Sequence, residues 1–536
     1  MRLNSLLLGV SLTALAVPAA AQTTTTRSGT STPVRVQTAP PTATPALAPA
    51  AQPTMTLRDA LVQAYNTNPD LAGERANQRA NDENVPIAKS QGRPGVSSTG
   101  SVSNSLYDTD ATFQPTRRGA LGLDLTVPVF SGGAVRNSVK AAETRVEAGQ
   151  ANLRGAEADV FTQTVTAYVD VLRDEAIVRL NQQNVRVLEV NLQATRDRFE
   201  VGDLTRTDVA QSEARLALAQ SQLRTAEARL IGSRETYIRV IGTPPGVLAA
   251  PPALPNFPDD VGTAEQTALA NNPYLEAAKL ARDATRYDVS VAKASRLPQV
   301  SVGVGGDYYN YLGSVGRQAA ATGLQSDGFA TTLGAQVTLP IFQGGRPAAQ
   351  VRQARAREGA AIEQVTLTER GVIAQARSAF AAYDSSLKVI ESSRVAVEAN
   401  KLSLEGVRAE NSVGTRTILD ILNAEQELLN SQVQLVTARR DAYVAGFALL
   451  AAMGNAEARD LGLDGGVLYD PVINYRRVRN RINDWGGDGE PMPVAVSTSN
   501  TPAQTAVVTR PLDSTVDRPV DRSPALTTGA ESPNRQ

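Results

Sequence analysis

The chain contains neither cysteine nor histidine. The first absence removes disulfides, thiol chemistry and an acylated cysteine behind any leader. The second removes the commonest general base and the imidazole metal ligand. Catalysis could rest only on carboxylates or a Ser/Lys pair, and no constellation of either is present, so the reading is of a non-enzyme with no cofactor and no metal site. Charge of one sign is lacking as well: 53 basic residues stand against 54 acidic ones, which gives no reason to expect nucleic acid as a partner. Aromatics are only 4%, while Ala, Gln, Arg, Glu and Leu dominate the middle of the chain, the composition of long helices.

A long apolar run is also missing. The stretch Leu6 to Val17 is well short of the ~20 residues a spanning helix needs. With Arg2 before it and Ala19-Ala20-Ala21 after it, residues 1–21 read as a secretory signal peptide. Residues 22–53, rich in Thr, Pro and Ala, and 486–536, rich in Pro, Thr and Ser, have little to bury and read as a disordered arm and tail.

What is present is a repeat. Tyr383, Ile390, Val397 and Leu404 fall seven apart, as do Ile421, Leu428, Leu435, Ala442 and Leu449, and the two seams meet at Val413-Gly414. A seven-residue apolar period supercoils helices about one another, and glycine tolerates the left-handed backbone of a helix end. The stretch is therefore an antiparallel coiled coil with its tip at Gly414. The same object lies 212 positions earlier, with Val171, Val178, Val185, Leu192 and Phe199 on one seam, Val209, Leu216, Leu223, Leu230 and Tyr237 on the other, and Val201-Gly202 at the turn. Asp208 matches Asp420 and Glu213 matches Glu425. The repeats span 54–262 and 263–485.

Each repeat opens with a short helix that ends at an Asn-Pro pair, Asn68-Pro69 or Asn272-Pro273, and continues into a second helix, which Pro86 bends or shortens in the first repeat. Segments of period two follow. In 121–130 the residues Leu121, Leu123, Leu125, Val127 and Val129 oppose Gly122, Asp124 and Thr126, and 333–342 repeats the pattern; their partners are 95–107 and 299–311. A half-buried sheet over a soluble core is the commoner home of such strands. These strands, however, carry long apolar faces opposite small polar ones and have the ~9–11 residues of a membrane strand. Four strands cannot close a barrel, since about eight is the smallest that encloses packed side chains, so several chains must share one. The strands end in Val127-Pro128-Val129-Phe130-Ser131-Gly132-Gly133 and Leu339-Pro340-Ile341-Phe342-Gln343-Gly344-Gly345, after which helical period continues for some 67 residues, roughly 100 Å. Finally, 467–485 is an aromatic and arginine segment expected to pack on the rods, its Arg476, Arg477, Arg479 and Arg481 forming a solvated or ion-paired face.

With these features together the chain resembles the TolC family of outer-membrane efflux and secretion ducts over about residues 54–485, most specifically at Ser412-Val413-Gly414-Thr415-Arg416-Thr417-Ile418-Leu419-Asp420. The resemblance implies a mixed fold of all-α coiled coil plus transmembrane β-barrel: four strands and long antiparallel helices per chain, a homotrimer, a twelve-stranded barrel in the outer-membrane lipid and a twelve-helix tunnel across the periplasm. It implies partners, a periplasmic adaptor and an inner-membrane pump or ABC transporter, and adaptor docking at Val201, Gly202, Asp203, Val413, Gly414 and Thr415. By the same resemblance Arg416 ties the second tip to Thr207 and Asp208 of the first, and Asp420 belongs to an entrance ring. A second ring position holds Asn423, and Asn411 replaces a tip tyrosine. The bland reading of Asp208 and Asp420 is an acidic residue placed to suit a helix dipole. Two other functions remain open at this stage: a trimeric adhesin or structural stalk, and, more weakly, a carboxylate hydrolase.

Overall fold

The computed structural model describes residues 54–106, 115–254, 257–463 and 468–508; the expected signal peptide, the arm at 22–53, most of the first hairpin loop and the end of the tail lie outside the described residues. The first repeat runs β1 (Thr54–Met55), α1 (Leu57–Thr67), α2 (Pro69–Asp82), α3 (Asn84–Ser90), β2 (Gly95–Asn104), β3 (Arg117–Phe130), α4 (Ala134–Glu200), α5 (Arg206–Ile241) and β4 (Val247–Leu248). The second runs α6 (Val261–Asn271), α7 (Pro273–Ala294), β5 (Gln299–Asn310), α8 (Arg317–Ala321), β6 (Asp327–Thr338), α9 (Arg346–Ser412) and α10 (Ile418–Ala452), and α11 (Pro471–Val478) follows.

The rods α4 and α9 are each 67 residues long, as the helical period requires. Both start after paired glycines in left-handed conformation, Gly132 and Gly133 at φ 62° and 81°, Gly344 and Gly345 at 58° and 82°. A side chain would be strained at these positions, and the glycines are what let a strand turn into a rod. The α4 seam is buried from Val171 to Leu192 and the second coil from Val397 to Leu449, whereas Val209, Leu216 and Leu223 on the α5 seam and Tyr383 and Ile390 on the α9 seam are half-buried. Phe199 departs from the pattern: just before the Gly202 turn it is 43% exposed.

Four helices share each level of the molecule. Toward the tips the order is α5, α4, α10, α9; toward the sheet α2 and α3 pack on α4, and α7 lies between α4 and α9. The Asn-Pro corners join the two levels. Asn68 accepts from the backbone N–H groups of Asp70 and Leu71 and so caps α2, while its amide donates to the Val240 carbonyl at the end of α5, 2.9 Å away. Asn272 does the same for α7 and the Ala452 carbonyl ending α10. One buried asparagine thus satisfies the orphan donors of one helix start and an orphan acceptor of another helix end. Gly454 (φ 75°) closes α10 so near the Asn271 carbonyl that a Cβ would lie 2.4 Å from its oxygen.

Pro86 acts one turn earlier than expected. Lacking an N–H, it cannot donate to the Asp82 carbonyl, and the helix breaks at Glu83 into α2 and α3. Its counterpart α7 has Ser290 at that position and continues unbroken for 22 residues. The segment after 467 reaches rod α4, through Leu468 and Tyr469 on the main core and Tyr475 on the cluster of Val85 and Val146, and α11 also packs on α2, with Val478 buried and Asn474 donating to Asp82 at 2.7 Å. Arg477 and Arg481 share Asp488, which is an ion-paired face.

The four long strands form one antiparallel sheet in the order β2, β3, β5, β6, leaving β2 and β6 as open edges. Pro128 does not end β3. The strand continues to Phe130 beside β5 alone, since its pairing with β2 ends at Thr126, and the register shifts between Pro128 and Phe130. β6 is an edge and stops at Thr338, so the matching Leu339-Pro340-Ile341-Phe342 is not strand.

Candidate functional site

Two regions carry the functional reading, the sheet and the paired tips. On the sheet, Leu121, Leu123 and Val129 are 58–63% exposed and Leu333 and Val337 more so, and among the described residues no helix packs broadly on them. A soluble protein buries such a face. The opposite face is polar and tightly fitted. Gly122 stands opposite Asp307, and Asp124 opposite Gly305. A Cβ on Gly122 would lie 2.7 Å from both the Asp307 carboxylate and the Thr99 hydroxyl, so the glycines make room for carboxylates on the neighbouring strand. Apolar out and polar in, with open edges, is the pattern of a membrane barrel wall.

At the tips both long helices end alike. The N–H of Gly202 bonds to the Phe199 carbonyl and that of Asp203 to Arg198; Gly414 and Thr415 repeat this on Asn411 and Glu410. This two-bond motif needs a left-handed residue, and Gly202 (φ 86°) and Gly414 (φ 81°) supply it. The next helices start with capping boxes, Thr205 with Asp208 and Thr417 with Asp420. The Thr417 hydroxyl and N–H, and then the charge of Arg416, hold the Asp420 carboxyl below its usual range, so it is ionised. Val201 and Val413 stand at the extremities, 75% and 74% exposed.

The expected tie between the tips is not formed within one chain. Arg416 pairs with Glu410 of its own hairpin at 2.8 Å, and Asp208 bonds Thr205. Thr207 is exposed, and Asn411 donates to the Arg416 carbonyl at 2.7 Å, bracing its own turn. The two coiled coils are instead tied by Arg215 of α5, which donates to Asn423 of α10 at 2.7 Å. Leu422 beside it packs with Val185, Leu188 and Ala219 of the first coil. Arg215 escaped sequence reasoning, because nothing in its spacing marks it as facing the other repeat.

The comparisons bear on these features. The model of the family described as outer membrane efflux protein matches residues 60–243 and 265–455, the two repeats. The outer membrane efflux protein BepC of Brucella suis is 36% identical over 80% of this chain and 91% of its own. The outer membrane protein TolC of Escherichia coli is 28% identical over 82% and 91%. Among solved structures, the Campylobacter jejuni CmeC outer membrane channel superposes with a TM-score of 0.66, covering 80% of this chain and 90% of its own at 17% identity, which shows a shared fold. The chain belongs to the outer membrane efflux protein family, as an exit duct in the outer membrane whose rods extend into the periplasm.

Proposed function

We propose that three copies of this chain close one passive duct: a twelve-stranded barrel continued by a twelve-helix tunnel, opened at its tips by a periplasmic adaptor and energised by an inner-membrane pump or ABC transporter. The observation that carries this reading is the uncovered apolar face of a sheet with two open edges. In a membrane neither edge can be left unpaired, because nothing there satisfies its N–H and C=O groups. Joining β6 of one copy to β2 of the next pairs every edge. The helical layer has the same incompleteness. α5 and α9 are its flanks, and α9 exposes Ile362, Leu367, Val395 and Leu402, which suits a neighbouring copy.

In this assembly the tie read from the resemblance, Arg416 to Thr207 and Asp208, is proposed to run from one copy to the next. Asp420 supplies the negative charge of the entrance, and Asn423 is engaged by Arg215. The exposed tips Val201-Gly202-Asp203 and Val413-Gly414-Thr415 are the proposed adaptor contacts. Printed names of relatives include a type I route as well as efflux, among them the alkaline protease secretion protein AprF of Pseudomonas aeruginosa. Both routes need the same duct. Native mass spectrometry in detergent tests the assembly: trimers are expected, and monomers whose strands remain protected from hydrogen exchange would overturn it.

A further inference from the structure

The tail was expected to be free, and near its described end it is held. From Gln504 to Val508 the chain runs without regular secondary structure, but burial alternates: Gln504, Ala506 and Val508 are half-buried while Thr505 and Val507 are exposed. Period two is the signature of an extended segment lying on a surface. Ala506 and Val508 pack against the main apolar core.

The surface grips the backbone. Arg234 of α5 donates to the carbonyls of Thr505 and Val507, two residues apart and therefore on the same side of an extended chain. Arg179 of α4 donates to the Val508 carbonyl at 3.0 Å, and Glu235 accepts the Gln504 N–H at 3.1 Å. Arg234 is itself fixed, since its guanidinium also binds Glu175 at 2.6 Å with both side chains about nine-tenths buried. A planar fork held by a buried carboxylate is a pre-organised donor for carbonyls.

We infer that the α4–α5 coil carries a binding site for an extended apolar segment, recognised through its carbonyls by Arg234 and Arg179, and that its occupant is residues 504–508 of this chain. The recognition uses little of the segment's side-chain identity. It asks for two small or medium apolar residues at alternate positions and for free carbonyls between them. The site lies about two-thirds of the way along the rod: Arg179 is 21 residues from the end of α4 at Glu200, roughly 30 Å from the tip. Occupation covers the Glu175–Arg234 pair and straps α5 to α4 at that level. The segment makes few contacts, so it is displaceable by the same sequence supplied in trans.

The test uses the full chain and a labelled synthetic peptide of residues 500–508. Wild-type protein, with its site filled, is expected to bind the peptide weakly by fluorescence anisotropy. The double variant Ala506→Asp with Val508→Asp places charge on the inward positions, frees the site, and is expected to bind the peptide at least tenfold more tightly. Adding Arg234→Met to that variant should abolish the gain. Because Arg234→Met also strips Glu175 of its partner, Arg179→Met and a peptide carrying the two aspartates serve as second controls, and both should weaken binding. Peptide binding no tighter to the double variant than to wild type, or a gain that survives Arg234→Met and the aspartate peptide, would overturn the site.

Discussion

Glu425 of α10 pairs with Arg408 of α9 at 2.6 Å, and the same pair recurs 212 residues earlier as Glu213 and Arg196 at 2.7 Å. Each pair spans its own tip from equal distances, so the internal repeat preserves an ion pair as well as a hydrophobic seam. The copies differ in burial: the Glu425 side chain is 2% exposed and the Glu213 side chain 50%. The reason is position, because α10 lies between α9 and α4 whereas α5 packs mainly on α4 and touches α10 only lightly.

The difference sets two costs. Glu425→Ala removes a charge-assisted bond from a site water does not fill and is expected to cost about 1.5–3 kcal/mol per chain. Glu213→Ala, at a solvated pair, should cost about 0–1 kcal/mol. Thermal unfolding of the assembled protein checks this. Equal midpoints for the two variants would mean that α5 is as covered in the assembly as α10.

The sheet makes a sharper contrast. Leu123→Arg on the apolar face is expected to cost about 2–4 kcal/mol near the membrane midplane, and Thr126→Arg on the polar face much less. Gly122→Val should also fail, for a different reason, since its side chain would meet Asp307 and Thr99. The yield of assembled protein in outer membranes reads all three.

A pH effect is expected beside α4. Burial pushes the Glu157 carboxyl above its ordinary range, Glu457 and Asp460 push the same way, and the Ala458 N–H and Arg75 oppose them. A raised carboxyl means that the folded state binds a proton more tightly than the unfolded one, so stability here rises as pH falls from neutral through the folded value. Glu157→Gln should remove most of that rise while still accepting the Ala458 N–H. Hydrogen exchange of residues 458–463, corrected for intrinsic rate, measures it.

At the tips, the absence of native cysteine makes cross-linking clean. Arg215→Cys with Asn423→Cys, joined by a short bifunctional thiol reagent, should give a product within one chain. A cysteine pair at Asp208 and Arg416 should give products between chains, because Arg416 faces Glu410 in its own hairpin. Denaturing gels separate the two outcomes.

Much of this was legible from residue order. The heptads predicted 67-residue rods, the Asn-Pro pairs predicted the corners, and alternating Leu and Gly or Asp predicted the sheet faces. What escaped was decided between segments far apart in sequence. Pro128 stays inside β3 where β5 is its single neighbour and a register shift accommodates it, while Pro340 lies beyond the end of β6. Asp208 and Asp420 sit in the first turns of their own helices and complete the capping boxes of Thr205 and Thr417, as a local reading allows. Arg215 meets Asn423, 208 residues away, through a packing of the two coils that no local pattern encodes. The tail at 504–508 reads as unstructured from composition and is held by arginines about 270 and 330 residues earlier in the chain.

Single-channel recording of purified protein in planar bilayers reads whether this chain forms a conducting duct. Discrete trimeric pores are expected, which Asp420→Ala makes less sensitive to block by multivalent cations added on the tip side. Properly inserted trimers that carry no current in wild type, and none after Arg416→Ser or Asp208→Ala loosens the tips, would contradict a conducting duct and leave a structural stalk.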